Sequence, residues 1–321
     1  MSANAFPPSK VSKLGQGFIG LAPFALLGLW FAGGTAVHNY ANPAMPAGRA
    51  KVAPGGELDG AALFARHCAY CHGERGNGKG IAGLFPQARY FGRDKYKFTV
   101  TRRGDGGGMP TDGDLLYVLR RGIPGTAMWG FEDRMTEWEM RAVIGHLRAL
   151  TRAGLAERFR LEADKNEEDP DWKEIAKKVE REVQPDEFVA MPDFSPATPE
   201  SVARGQQLFV NAAKTLCASC HGNDGRGDGP AVNDKKNDEP YKGGDGLPNK
   251  PRDLTTGLYK GGGEKERLYP RIRHGIPGTP MPPHTKLKPR EVEDLIDYVL
   301  SLNRDPAPAT VRKIRLPVLN D

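Results

Sequence analysis

The sequence predicts an all-α protein: two copies of one helical module, preceded by one transmembrane helix. Three observations predict it. The string Gly-Ile-Pro-Gly-Thr-x-Met occurs twice, ending at Met128 and Met281, and each copy runs on into an amphipathic stripe of helical spacing. Residues 14–37 contain no Asp, Glu, Lys or Arg. Gly and Pro are abundant, at 40 and 27 residues, which implies many loops around modest regular structure and makes long sheets improbable on composition.

As a helix at about 1.5 Å per residue, the uncharged run reaches about 36 Å, enough to cross a bilayer. Lys10 and Lys13 precede it and the next charge is Arg49, which puts the N-terminus in the cytoplasm. The competing reading is a cleaved secretory signal, for which Gly34, Thr35 and Ala36 supply small residues at a cleavage site, although the run is longer than a usual signal core. Either way the remaining chain crosses the membrane. A buried core helix fits poorly, because Gly15, Gly17, Gly20, Gly28, Gly33, Gly34 and Pro23 would weaken such a helix in water.

The formal net charge of +6 is not concentrated. Residues 1–54 carry +4, 55–150 carry +3, 151–199 carry −5, 200–305 carry +2 and 306–321 carry +2. Without a basic stripe and interleaved aromatics, nucleic acid is excluded as a partner. The acidity of 151–199 reads as a solvated surface.

The chain has four cysteines, in two identical settings: Cys68, Cys71 and His72, then Cys217, Cys220 and His221. Cys-x-x-Cys alone suits a redox dithiol or half a zinc site, but the adjoining histidine marks covalent c-type haem attachment. The two sulfurs add to the haem vinyl groups, and the next residue presents imidazole to iron. Two haem c groups are therefore expected, with His72 and His221 as proximal ligands.

The rest of the repeat indicates the sixth ligands. Each copy opens on a helical stretch, Gly60-Ala-Ala-Leu-Phe64 or Gly205-Gln-Gln-Leu-Phe209, and passes through the attachment site and a long irregular connection to the Gly-Ile-Pro-Gly-Thr-x-Met loop. A closing helix follows. In the first copy Thr136 and Glu139 form a capping box before Val143, Ile144, Leu147 and Leu150; in the second, Pro289 starts the stripe Leu295, Ile296, Val299 and Leu302. Met128 and Met281 share a repeated rigid loop, and Met/His ligation raises a haem potential while leaving no open coordination site. Met109 and Met135 could also reach the first haem by sequence distance. Met45, Met135, Met140 and Met191 read as gap-filling core, and His38, His67, His146, His274 and His284 as structural or surface residues.

On these residues both halves resemble class I cytochrome c domains, over about two-thirds of the chain. In that family the first and last helices cross at a glycine and an aromatic, and a proline carbonyl after the haem motif orients the histidine. The resemblance implies these roles for Gly205, Phe209 and Tyr298, and for Pro230. In the first copy Ile81 and His146 stand where Pro230 and Tyr298 do, with Pro86 as the substitute proline. Trp129, beside Met128, is expected to cover the haem edge.

The expected organisation is a cytoplasmic N-terminus at 1–13, an anchor at 14–37, a linker at 38–54, the first cytochrome c-like domain at 55–150, an acidic helical and proline-rich linker at 151–199, the second domain at 200–305 and a tail at 306–321. The functional expectation is a dihaem c-type cytochrome of the bacterial inner membrane, with its haem domains on the periplasmic side. It would transfer electrons as a subunit of a respiratory or photosynthetic electron-transport complex. Its partners would be other subunits of that complex and a soluble cytochrome, oxidase or reaction centre. The alternative is a catalytic dihaem oxidoreductase such as a cytochrome c peroxidase or a thiosulfate dehydrogenase. Such enzymes need an iron that substrate can reach or a cysteine ligand, whereas here no cysteine is spare and both modules offer methionine. No catalytic side chain is expected.

Overall fold

The computed structural model describes residues 59–81, 87–102, 109–166, 169–185, 187–232 and 249–304. The expected membrane span 14–37, its flanks 1–13 and 38–54, the tail 306–321 and Pro86 lie outside the described residues. Among the described residues no helix is long and apolar enough to cross a membrane.

The first module starts at α1 (Gly60–His67), where the Asp59 carboxylate accepts hydrogen bonds from the Ala61 and Ala62 amides and satisfies donors that the first turn leaves unpaired. A short turn of helix, α2 (Ala69–His72), carries the first Cys-x-x-Cys-His. Then come α3 (Asp112–Arg121) and α4 (Glu137–Lys165), each opened by a capping box, Thr111 with Asp114 and Thr136 with Glu139. The expected stripe lies inward: Val143, Ile144 and Leu147 pack with Leu63, Phe64, Leu115 and Leu119. Each such buried aliphatic contributes about 1.5–3 kcal/mol.

α4 does not stop at residue 150, where the first domain was expected to end. It continues to Lys165 and packs against α5 (Trp172–Val183) through Leu155, Ile175, Val179 and Val183, a small core of its own. The linker is therefore largely a helical hairpin. Beyond it, β2 (Glu187–Phe188) pairs antiparallel with β1 (Thr101–Arg102) of the first module, and Val189 joins the second core with Met191 and Phe194 against it. This ribbon of two-residue strands is the one sheet among the described residues.

The second module repeats the first with α6 (Pro199–Val210), α7 (Cys217–His221), α8 (Lys265–His274) and α9 (Pro289–Ser301). Pro199 and Pro289 occupy first-turn positions, where the missing N–H costs nothing. Helices α6 and α9 cross at Gly205, where a Cβ would fall 1.9 Å from the Asp294 carbonyl oxygen. In the first module α1 and α4 cross at Gly60, where a Cβ would fall 2.0 Å from the Ala142 carbonyl oxygen. Phe209 meets Tyr298 at 5.2 Å between ring centroids, and Phe64 meets His146 at 5.1 Å. The crossing is thus the same in both modules, with imidazole replacing phenol in the first.

Helices α3 and α8 were not expected, because the connections containing them read as irregular. They match residue for residue, 153 positions apart. The apolar positions on α3 form a short run, Leu115, Leu116 and Leu119, and α8 contains Pro270, so neither shows a long periodic stripe.

Candidate haem and electron-transfer site

The residues after each histidine fold alike in the two modules. The His72 amide donates to the Cys68 carbonyl at 2.9 Å, and the Gly78 amide donates back to the His72 carbonyl at 2.8 Å. In the second copy the Gly227 amide donates to the His221 carbonyl at 2.8 Å and Gly229 to Cys220 at 3.1 Å. No disulfide joins the cysteines. Burial pushes the Cys68 thiol up to about 12, with Cys71 adding to the effect, and raises Cys71 and Cys217 as well. A redox dithiol needs an accessible thiolate at neutral pH. Raised by burial, Cys68 and Cys217 are poor candidates for that role.

The Nδ1 atoms of His72 and His221 lie 3.2 Å from the Arg89 carbonyl oxygen and 3.0 Å from the Arg252 carbonyl oxygen. A carbonyl only accepts, so Nδ1 carries the proton and Nε2 keeps its lone pair, as a metal ligand requires. Burial holds both imidazoles below the usual histidine range, against the smaller raising effect of those carbonyls. This corrects the expectation that Pro230 or a counterpart would supply the orienting carbonyl. The signal was hidden by spacing: Arg89 follows its histidine by 17 positions and Arg252 by 31, so simple alignment of the copies does not pair them. Pro251 directly precedes Arg252, so a proline adjoins the carbonyl without supplying it.

Both methionine loops close in one way. The Ile123 amide donates to the Met128 carbonyl at 2.8 Å, the Thr126 hydroxyl donates to the Ile123 carbonyl at 2.7 Å, and the Met128 amide donates to the Thr126 hydroxyl at 3.1 Å. The counterparts around Ile276, Thr279 and Met281 measure 3.4, 2.8 and 3.3 Å. Gly122 and Gly275 begin the loops at φ 69° and 72°, conformations costly for other residues.

All eight expected site residues line one cavity of about 1430 Å³: Cys68, Cys71, His72 and Met128 from the first module, Cys217, Cys220, His221 and Met281 from the second. Met109 and Met135 do not line it; Met135 is in the first core, and the Met109 carbonyl accepts from Thr101 Oγ1 at 2.6 Å. His67 and His284 reach the cavity wall, whereas His146 and His274 do not. Trp129 lies at the wall and is half-exposed. The largely apolar wall, paired thiols and singly available imidazole nitrogens fit covalently held haem.

The cytochrome c family model matches residues 58–151 and 202–303. The chain belongs to the cytochrome c family. Its two cytochrome c domains hold two covalently bound c-type haems with iron. A curated relative, the cbb3-type cytochrome c oxidase subunit CcoP of Rhodobacter capsulatus, is 29% identical over 149 residues, covering 42% of this cytochrome and 43% of the relative. The cytochrome therefore matches less than half the length of that protein. Among solved structures, a chain of the Kuenenia stuttgartiensis reducing HAO-like protein complex is similar with a TM-score of 0.60 and 29% identity, over 77% of this cytochrome and 96% of that chain. One relative is thus named as an oxidase subunit and the other as a chain of a reducing HAO-like complex, and the function of the family is electron transfer.

Proposed function

We propose that this cytochrome is a membrane-anchored dihaem subunit that relays electrons within a respiratory or photosynthetic complex. Cys68 and Cys71, and Cys217 and Cys220, hold the haems by thioethers. His72 with Met128, and His221 with Met281, ligate the two irons. The observation that carries the reading is the shared cavity, whose wall includes both attachment sites and both methionine loops. A haem c supplies a one-electron ferric/ferrous couple and, ligated by methionine and histidine, offers no site for substrate.

The chain's own residues do the rest. The Arg89 and Arg252 carbonyls keep each imidazole in one tautomer, and the threonine-closed loops hold each methionine. Leu63, Phe64, Leu208 and Phe209 lie in the cores behind the attachment helices and limit water. Residues 14–37 anchor the chain in the bacterial inner membrane with the haem domains on the periplasmic side. Its partners are other subunits of the complex and a soluble cytochrome, oxidase or reaction centre; the likeness to an oxidase subunit supports that choice.

Exposure of the reduced protein to carbon monoxide tests the ligand set. Little spectral change is expected. Rapid stoichiometric binding, or peroxide turnover with a reduced cytochrome donor, would favour the catalytic dihaem alternative. For the anchor, full-length protein should survive carbonate washing of membranes, and a chain beginning near Ala50 should be soluble and redox-active. Full-length protein in the soluble extracytoplasmic fraction would refute it.

A further inference from the structure

The segment that carries the Arg89 carbonyl is a turn closed on itself. The Asp94 amide donates to the Tyr90 carbonyl at 2.9 Å, and the Tyr90 amide donates to Asp94 Oδ2 at 2.8 Å. On one side the turn meets the proximal histidine of the first module. The Phe91 amide donates to the Gly76 carbonyl at 2.9 Å, and the Phe91 ring stacks on the His72 imidazole with centroids 4.8 Å apart. Its other side rests on the part of α4 that runs beyond residue 150.

Two contacts make that grip. Thr151, 4% exposed, donates its hydroxyl to the Leu147 carbonyl at 3.0 Å, so the Tyr96 hydroxyl, 3.1 Å away, is the donor to Thr151 Oγ1. One turn further along α4 the backbones of Gly92 and Gly154 touch. A Cβ on Gly154 would fall 2.1 Å from Gly92 Cα, and a Cβ on Gly92 would fall 2.7 Å from Gly154 Cα, so glycine at both positions allows the approach. Helix α5 stiffens this part of α4, through Leu155 against Ile175, Val179 and Val183 and through Arg152 Nε, 3.1 Å from Glu180 Oε1. The second module grips its Arg252 segment by other means. There α9 stops at Ser301, the Arg304 amide donates to the Thr255 carbonyl at 3.1 Å, and a Cβ on Gly257 would fall 2.5 Å from Asn303 Nδ2.

We propose that the α4–α5 hairpin is a working part of the first haem site, with Gly92, Tyr96, Thr151 and Gly154 as positioning residues that keep the Arg89 carbonyl on His72 Nδ1. A turn closed on itself moves as a unit, so its outer contacts decide where that carbonyl points. If the carbonyl drifts away, the Nδ1 proton opens to water and the imidazole loses the hydrogen bond that fixes its tautomer and ring orientation. The segment between the two modules thus does more than space them. This inference rests on the haem reading above.

The test is hydrogen exchange of the histidine Nδ1 protons in the reduced, full-length protein carrying both haems, followed by NMR with isotope-labelled histidine. His221 Nδ1, 3.0 Å from the Arg252 carbonyl, is the reference within the same molecule. Gly154→Leu should speed exchange at His72 by about tenfold or more and leave His221 unchanged. Tyr96→Phe, which removes one hydroxyl and keeps the ring, should act in the same direction by less. If both haems are retained and neither Gly154→Leu nor Tyr96→Phe moves the His72 proton, the proposal is overturned; if Gly154→Leu does not fold, Tyr96→Phe alone decides. Equal acceleration at both histidines would show a general loosening of the protein and would also overturn it. Absence of covalent haem from the unsubstituted protein would be a different result, a failure of the haem reading itself.

Discussion

Asp114 and Arg267 occupy the same position in the two copies of the repeat, and they pair with each other: Arg267 Nη1 lies 2.5 Å from Asp114 Oδ1, with the side chains 10% and 1% exposed. The pair joins α3 of the first module to α8 of the second. Around it Arg267 lies 4.2 Å over the Tyr117 ring, and Arg102 Nη2 donates across to the Gly275 carbonyl at 3.1 Å.

Breaking this pair should cost more than breaking a surface bridge. Arg267→Ala leaves a buried carboxylate without its counter-charge and is expected to cost about 3–5 kcal/mol. Asp114→Ala should cost more, because Asp114 Oδ2 also accepts from the Val100 and Thr111 amides, at 3.3 and 3.1 Å. Urea denaturation of both variants gives the comparison. Equal losses would mean that the backbone contacts of Asp114 contribute little.

The helix crossings make glycine obligatory at two sites and not at a third. Gly205→Ala forces a Cβ against the Asp294 carbonyl and should block folding of the second module, seen as about half the haem content per chain. Gly145→Ala, on an exposed face of α4 with nothing within 4 Å of its Cβ, should instead stabilise the protein by up to about 1 kcal/mol. Haem stain and thermal melting distinguish the two, and a silent Gly205→Ala would contradict the described crossing.

Met128→Ala should lower the potential of one haem and open it to carbon monoxide, leaving the other unchanged. Met109→Ala should do neither, since Met109 is off the cavity wall. Carbon monoxide difference spectra of the two variants are enough. Should the outcomes be exchanged, the repeat alignment of Met128 with Met281 is wrong.

Acid should weaken the first module through His146. Burial lowers its pKa from the ordinary 6.5, with Asp59 opposing more weakly. The unfolded chain therefore takes up a proton first as pH falls below about 6.5, and stability is lost on acidification until the folded imidazole also protonates. His146→Tyr, which installs the residue found at the matching crossing of the second module, should flatten that loss. Urea midpoints at pH 7 and pH 5 measure it; an unchanged difference between them would assign the acid sensitivity elsewhere.

Covalent chemistry and local geometry are encoded in short strings, so the sequence alone determined the haem count, the repeat and the closing helices. Cys-x-x-Cys-His needs only adjacent residues, and the glycine and threonine of each methionine loop close it on hydrogen bonds spanning a few positions. Residues distant in sequence became neighbours only in the tertiary structure. Arg89 and Arg252 were found as partners of the histidines through space, because unequal loop lengths shift their spacing. Helices α3 and α8 draw much of their support from packing against each other's modules, through Asp114, Tyr117, Glu264 and Arg267, so local periodicity understates them. The charge of Arg271 looks ordinary in the chain; its burial on the cavity wall is a property of two modules brought face to face.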